Sequence, residues 1–391
     1  MECSGQRINV LLTGQIHESA NPLQAWFSAE PLVNYLPVPS KDPWGLLGGD
    51  EEMRRFIRLY FPRTWEDIMS YDFILLSSPV VYLFTDQQLN WMYDALGEGA
   101  GGLNTASIMS SEPDIHGAWV ASVLQTAFPN DAPAVMANHG GATSTVKSFH
   151  VRINRQFPEP VLTPFIPLGI EGFVGEDSRF IIMREGAVPI AWQVGNFPGF
   201  GDVPYLTTWR YKEGITMTLG DYFGAAFWSS YRGTATDNTY APDMLMNLVL
   251  YATGREVPTE VEIFHRVRFS FLDFRARMAV LLSLKDFVEK FDANPVPIEE
   301  QIGRLEGLSR EARELYISLD FQTCEEVMSQ AFDEFSEAEQ LAMKTKDAAL
   351  LWVYAIEWLV TTSALMASGF VLWSLMVKRK LYRAVKSTRS I

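Results

Sequence analysis

Cysteine is nearly absent from this chain. Of 391 residues only Cys3 and Cys324 are cysteines. Two thiols so far apart exclude a disulfide-stapled fold and every thiolate zinc cluster. Histidine is scarce too, limited to His17, His116, His139, His150 and His265, with no HExxH or H-x-H frame. Basic residues are outnumbered, 32 Lys and Arg against 47 Asp and Glu, for a net charge of −15. A nucleic-acid binder needs a basic face, so no nucleic-acid partner is expected. Gly14 lies in TGQIHES, outside any GxGxxG or Walker A frame, and Ser107 and Ser110 lack a G-x-S-x-G frame. Neither nucleotide binding nor a serine nucleophile is therefore supported. There is no N-x-[ST] acceptor and no fixed-period repeat.

What the chain has is a normal apolar fraction, 48% hydrophobic and 13% aromatic, over a length that suits one large or two ordinary domains. The mean hydropathy of +0.01 is high for so acidic a chain, because the apolar residues are concentrated at one end. From Ala348 to Val377, 30 residues contain one ionisable group, Glu357, and Trp358 to Met376 is an uncharged run of 19. A helix needs about 20 apolar residues to cross a bilayer. Trp352, Tyr354 and Trp358 cluster at one end, and Trp373 and Tyr382 at the other, as aromatic belts do. The 14-residue tail after Val377 holds Lys378, Arg379, Lys380, Arg383, Lys386 and Arg389 with no acid. It carries +6, which leaves −21 on the other 377 residues.

A single span is expected at 348–377, with the lipid bilayer as a partner. By the positive-inside rule the basic tail at 378–391 is cytoplasmic, which places the acidic bulk outside the cytoplasm. The start, MECSGQRINVLLTGQ, has no basic n-region followed by a long apolar run. Either a signal was removed or lies upstream, or the protein is tail-anchored with its bulk in the cytoplasm; the first arrangement is favoured. Glu357 sits beside Trp358 near the interface, where headgroups would solvate it. Ser363/Ala367 and Ala364/Ser368 are small-xxx-small pairs that would admit a neighbouring helix, so other membrane subunits are conceivable partners through the span or the acidic helices.

Before the span the pattern changes twice. Ile8–Thr13, Leu32–Val38, Tyr71–Ser77 and Leu103–Ile108 read as strands. Between them lie helical stretches such as Glu51–Tyr60 and Thr85–Leu96, the latter opened by a Thr85 N-cap. Ala118–Phe128 reads as a further amphipathic helix. Strand-helix alternation with short Gly turns means parallel βαβ units. From about residue 160 two hairpins are expected, around Arg184-Glu185-Gly186 and around Lys212-Glu213-Gly214. Pro242–Tyr251 reads as a Pro-initiated helix closed by Gly254. Beyond Glu256 the chain is helical, the first helix near Phe269–Phe291, and acidic, with 12 acids against 5 bases over 296–346.

The stretch YDFILLSSPVVYLFTDQQLNWMYDALGEGAGGLNTAS resembles the class I glutamine amidotransferase-like superfamily, and so do WRYKEGITMTL and APDMLMNLVLYATGREVP. The resemblance covers about residues 7–258. It implies a flavodoxin-like doubly wound α/β sheet with added antiparallel strands. The expected organisation is then an amidotransferase-like α/β domain over 1–258, an acidic helical region over 259–347, the span and the tail. In that superfamily a cysteine on a strand-to-helix elbow is activated by a His and a Glu. Here the elbow falls at Ser107–Ser110, without cysteine, and no His-x-Glu pair lies near 215–240. Glutaminase activity is therefore not expected, nor a cofactor or metal.

The rim at the carboxyl ends of the strands is where such sheets bind ligands. Its candidate residues are His17, Glu18, Asn104, Ser107, Asp114, His116, Asn138 and His139. The expected function is a membrane-anchored, non-catalytic subunit that binds a ligand or partner at the cell envelope. Two alternatives stand beside it. One is a hydrolase using an unrecognised rim site around His17, His116 and His139. The other is a structural surface-layer component.

Overall fold

A computed structural model of the chain describes residues 6–17, 22–42, 45–105, 113–139, 149–175, 179–197, 199–223, 238–291 and 293–387. The expected strand-helix alternation is present. Strand β1 (Ile8–Gly14) leads through α1 (Leu23–Ala29) to β2 (Val33–Pro39), and through α2 (Asp50–Tyr60) and α3 (Trp65–Ile68) to β3 (Phe73–Ser77). Helix α4 (Asp86–Gly97) then leads to β4 (Gly101–Thr105). Near-continuous apolar runs make β1 and β3: all five residues of β3, Phe-Ile-Leu-Leu-Ser, are buried, as suits strands covered on both faces. Thr85 caps α4 as expected: its hydroxyl accepts from the Gln88 N–H (3.3 Å), while its own N–H donates to the Gln88 side chain (3.0 Å).

Helices α5 (Pro113–Ala121) and α6 (Ala132–His139) follow, then β5 (Phe149–Ile153), β6 (Gly172–Gly175), β7 (Val188–Phe197), β8 (Gly201–Tyr211) and β9 (Gly214–Leu219). Among the described residues the sheet has nine strands in the order β2-β1-β3-β4-β9-β8-β7-β5-β6. Strands β2, β1, β3, β4 and β9 pair in parallel. That order is the doubly wound, flavodoxin-like one. The pairs from β9 through β8, β7 and β5 to β6 are antiparallel. In β5 burial alternates: Phe149, Val151 and Ile153 face the core, while His150 and Arg152 face out.

Three local expectations are corrected here. The Gly-rich turn before the fourth strand is shorter than read, because Gly101 and Gly102 belong to β4. A Cβ on Gly101 would stand 2.8 Å from the Cβ and carbonyl oxygen of Ala252, so glycine is needed where a helix presses on the strand. The helix expected at 118–128 starts earlier and breaks: α5 ends at Ala121 and a 3-10 turn spans Val123–Ala127. The turn at Arg184–Gly186 does not join two strands of the sheet. Met183 makes only an isolated bridge to Asn130, and the hairpin partner of β7 is β8. Arg184 is drawn away by its own bonds, to the Phe128 carbonyl (2.9 Å) and the Gln125 side chain (2.7 Å). The hairpin at Lys212–Gly214 joins β8 and β9 as read, with Lys212 at φ 51°.

Helix α7 (Ala241–Ala252) is followed by Gly254 at φ 67°. Three long helices complete the chain: α8 (Val261–Lys290), which begins eight residues before the expected start, α9 (Val296–Ile317) and α10 (Phe321–Ser387). The chain divides into two compact units. One is Met1–Ser270 with Ala312–Glu325; the other is Phe271–Glu311 with Glu326–Ile391.

Within the second unit α10 buries Met328, Ala331, Phe335, Ala338 and Ala342, an i, i+3, i+4 stripe whose alanines let neighbouring helices approach. Phe274 meets Phe335 edge-on at 4.9 Å, and Lys285 pairs with Glu289 (3.0 Å) and Glu299 (2.9 Å). Further along, α10 is long and apolar enough to cross a membrane, with an 18-residue window of mean hydropathy 1.6. The outward surface of that stretch is uncovered: Trp358 is 72% exposed and Met366 77%.

Candidate functional site

The carboxyl ends of the parallel strands carry a concentration of small polar side chains. Thr13 donates to the Val38 carbonyl (2.8 Å) and to the Ser40 hydroxyl (3.1 Å), joining β1 to the end of β2. The Gln15 N–H donates to the Ser77 carbonyl (2.6 Å), and Ser77 returns its hydroxyl to the Gln15 carbonyl (3.2 Å). Ser78 stands at φ 52°, the left-handed region, which side chains other than glycine seldom adopt. Its N–H donates to the Thr105 hydroxyl (2.9 Å), and the two hydroxyls lie 3.0 Å apart. Thr218 on β9 donates to Asn104 on β4 (2.6 Å). Asp221, fully buried just past β9, accepts from the Tyr205 hydroxyl (3.2 Å) and the Tyr222 N–H (2.8 Å). From β2 across to β9 the rim is stitched edge to edge by neutral bonds.

The structure disperses the expected rim set. Asn104 is buried and serves as a strand-to-strand bridge. His17 is half-buried beyond β1. Asp114 and His116 share α5 but not a face, since Asp114 is exposed and His116 is 3% exposed. Glu18 and Ser107 lie outside the described residues, as do the side chains of Asn138 and His139 at the end of α6. Among the described residues no three His, Cys, Asp or Glu side chains gather as a metal site would need.

Two other features carry polar chemistry. An open depression of about 570 Å³ lies over the outward face of β5 and β7, lined by His150, Arg152, Arg155, Glu171 and Trp192. Its arginines are engaged, Arg152 with Asp202 (2.6 Å) and Arg155 with Glu171 (3.0 Å). The alternating pattern of FHVRI signals this outward face; the depression itself depends on strand pairing. The second is a buried ionic cluster around Asp243. Its carboxylate takes the Arg268 guanidinium (2.9 Å) and the His265 Nδ1 (2.7 Å) on one oxygen. In sequence Asp243 reads as an ordinary acid in the first turn of a helix and Arg268 as a surface residue of the next one.

Cys324 answers the question the sequence raised about thiols. It is buried, its Sγ donates to the Ala312 carbonyl (3.0 Å), and burial together with the nearby Asp320 pushes the thiol up to about 12. A thiol held protonated is a poor nucleophile. In a Cys3→Ser background, iodoacetamide is expected to leave Cys324 unmodified at pH 8 in the folded protein. It should label fully in denaturant, as peptide mass mapping would read. Rapid labelling of the folded chain would contradict this burial.

No protein-family model matches the chain, and no curated protein matches it. Solved structures similar to it include the cytoplasmic protein STM1381 from Salmonella typhimurium LT2. That match is 14% identical, with a TM-score of 0.45, over 63% of this chain and 99% of that one. The cytoplasmic protein STM3548 from Salmonella typhimurium matches at 15% identity and a TM-score of 0.44, over 62% of this chain and 98% of that one. The glutaminase domain of Trypanosoma brucei CTPS with bound acivicin matches at 12% identity and a TM-score of 0.31, over 64% of this chain and 97% of that one. Similarity at this level says nothing of what this chain does.

Proposed function

We propose that this chain is a single-pass membrane protein whose amidotransferase-like α/β unit is a non-catalytic binding subunit at the cell envelope, holding a ligand or a partner. The observation that carries the reading is the uncovered apolar surface of α10 between two aromatic belts, ended by Lys378, Arg379 and Lys380. Trp358, Leu359, Met366 and Phe370 are each more than two-thirds exposed. Burying one such side chain is worth roughly 1.5–3 kcal/mol, so a bilayer is the solvent this surface fits. The tail is read as cytoplasmic and the α/β unit as lying on the other face. The absence of cysteine from residues 106–112 and the inert Cys324 support binding over glutaminase chemistry.

Alkaline carbonate washing of membranes is expected to leave the full chain in the pellet. Protease added to intact cells should remove the bulk of residues 1–340. Release by carbonate would sink the anchor, and full protection of the bulk would reverse the orientation. Alanine at His17 and His139 together is expected to leave folding and partner capture unchanged; loss of a hydrolytic activity in that variant would move the reading to the enzyme.

A further inference from the structure

The cluster around Asp243 joins four helices and has an odd charge inventory. Helix α7 supplies Asp243, fully buried; α8 supplies Arg268, 3% exposed, and His265. Glu30, 3% exposed, caps the carboxyl end of α1, and α9 supplies Tyr316, fully buried. The Tyr316 hydroxyl donates to Glu30 Oε2 (3.2 Å), and the Leu32 N–H donates to Oε1 (3.1 Å). His265 lies between the rings of Tyr240 (4.3 Å) and Phe269 (4.5 Å).

Around this core an aromatic group closes on the α9–α10 turn. Phe264 stacks on Tyr316 at 5.8 Å and meets Phe321 at 5.0 Å. Leu319 makes the turn at φ 65°, and Arg266 binds Glu325 through two bonds of 2.7 and 3.3 Å. Two carboxyl groups and one guanidinium therefore share a dry site, and His265 adds a charge only when it takes up a proton. With both carboxyls ionised and the imidazole neutral, the site holds one uncompensated negative charge, which burial makes costly.

We propose that Glu30, Asp243, His265, Arg268 and Tyr316 form a proton-operated latch that holds the α9–α10 turn to the α/β unit. Taking up one proton balances the cluster and closes the latch. Releasing that proton to solvent leaves a buried net charge and loosens the turn. The turn lies within residues 312–325, so the device would make the docking of that segment on its own unit depend on pH.

The direction follows from Glu30. Burial raises its carboxyl above the usual value, and Arg268 and the bonds from Leu32 and Tyr316 offset this only in part. A group raised on folding stabilises the folded state at low pH and loses that contribution as pH rises through its folded value. Of the other charged groups near these residues, Arg313, one turn before Tyr316 on α9, is half-buried, Glu262 is exposed, and Arg266 and Glu325 lie at the solvent margin. Arg266 and Glu325 neutralise each other there.

Hydrogen exchange of the full chain in nanodiscs tests the latch. Protection of peptides over 261–270 and 312–325, corrected for intrinsic exchange, is expected to fall by about tenfold or more between pH 5.5 and 8.5. Peptides over α4 serve as the reference and should stay flat. Glu30→Gln should abolish the pH dependence and keep the turn protected throughout. Tyr316→Phe, which keeps the stacking and removes a bond that favours the ionised Glu30, should move the loosening to higher pH. Protection of the wild-type turn that does not change with pH overturns the latch, and so does a Glu30→Gln profile that follows the wild type. If Glu30→Gln fails to fold, the wild-type and Tyr316→Phe profiles decide.

Discussion

Replacing Gly14 by alanine is expected to unfold the α/β unit or bring it to the edge of unfolding. Gly14 ends β1 at φ 119°, a conformation L side chains rarely adopt. A Cβ there would stand 2.0 Å from the Ser77 carbonyl oxygen and 2.6 Å from its carbon. Those atoms are backbone of β3, and the oxygen already accepts the Gln15 N–H at 2.6 Å, so the strand cannot step aside without losing that bond. Strain of this kind costs about 1–3 kcal/mol before the clash is counted. The clash brings the expected loss to roughly 4 kcal/mol or more, beyond the usual range for a point substitution. Urea denaturation of the full chain in detergent, followed by tryptophan fluorescence, would measure it. A midpoint within experimental error of the wild type would show that β1 and β3 do not meet as described.

The second large effect is expected at Arg268. Its guanidinium is buried against the Asp243 carboxylate at 2.9 Å. Arg268→Met removes the cation and leaves a fully buried carboxylate with only His265 beside it. Breaking a buried pair from one side costs about 3–5 kcal/mol, whereas replacing both partners by apolar groups is often near neutral. The double variant Asp243→Leu/Arg268→Met should therefore be more stable than Arg268→Met alone, by roughly 2 kcal/mol or more in the same denaturation assay. Arg155→Ala gives the contrast. Arg155 pairs with Glu171 at 3.0 Å with both side chains more than half exposed, and such pairs are worth at most about 1 kcal/mol. Equal losses at Arg155 and Arg268 would mean that the Asp243 cluster is not dry.

The two sites differ in how far the sequence reveals them. Gly14 is visible as a glycine closing an apolar strand, but its obligation is not, since Ser77 is 63 residues away in sequence. Arg268 is invisible: a basic residue in a mixed helix reads as solvated, and only the approach of α7 removes it from water. The rim set divides in the same way. Asn104 stands at a strand end as read, yet it is spent on Thr218, 114 residues further on. Asp114 and His116 are neighbours in sequence that α5 turns to opposite environments, because residues two apart on a helix do not share a face. Arg184 shows how a local turn signal fails. The Arg-Glu-Gly sequence suits a hairpin, but bonds to Phe128 and Gln125 hold its arginine elsewhere.

By itself the sequence determined whatever depends on local repetition or on composition. The buried strands β1 and β3 declare themselves as apolar runs, a capped helix needs its Thr and Gln three apart, and an apolar stretch of membrane length needs no partner in the sequence to declare itself. The absence of cysteine from 107–110, where the resemblance sets the elbow, was equally plain. Tertiary structure alone decided whatever depends on residues distant in the chain. It set β9 beside β4 and turned the last strands antiparallel. It brought 312–325 back to the α/β unit, where Tyr316 meets Glu30 across 286 residues. It also put Asp243 and Arg268 out of water, with His265 beside them. A charge declares its burial only when the elements around it are in place, and that is why the most polar part of the interior left no mark on the sequence.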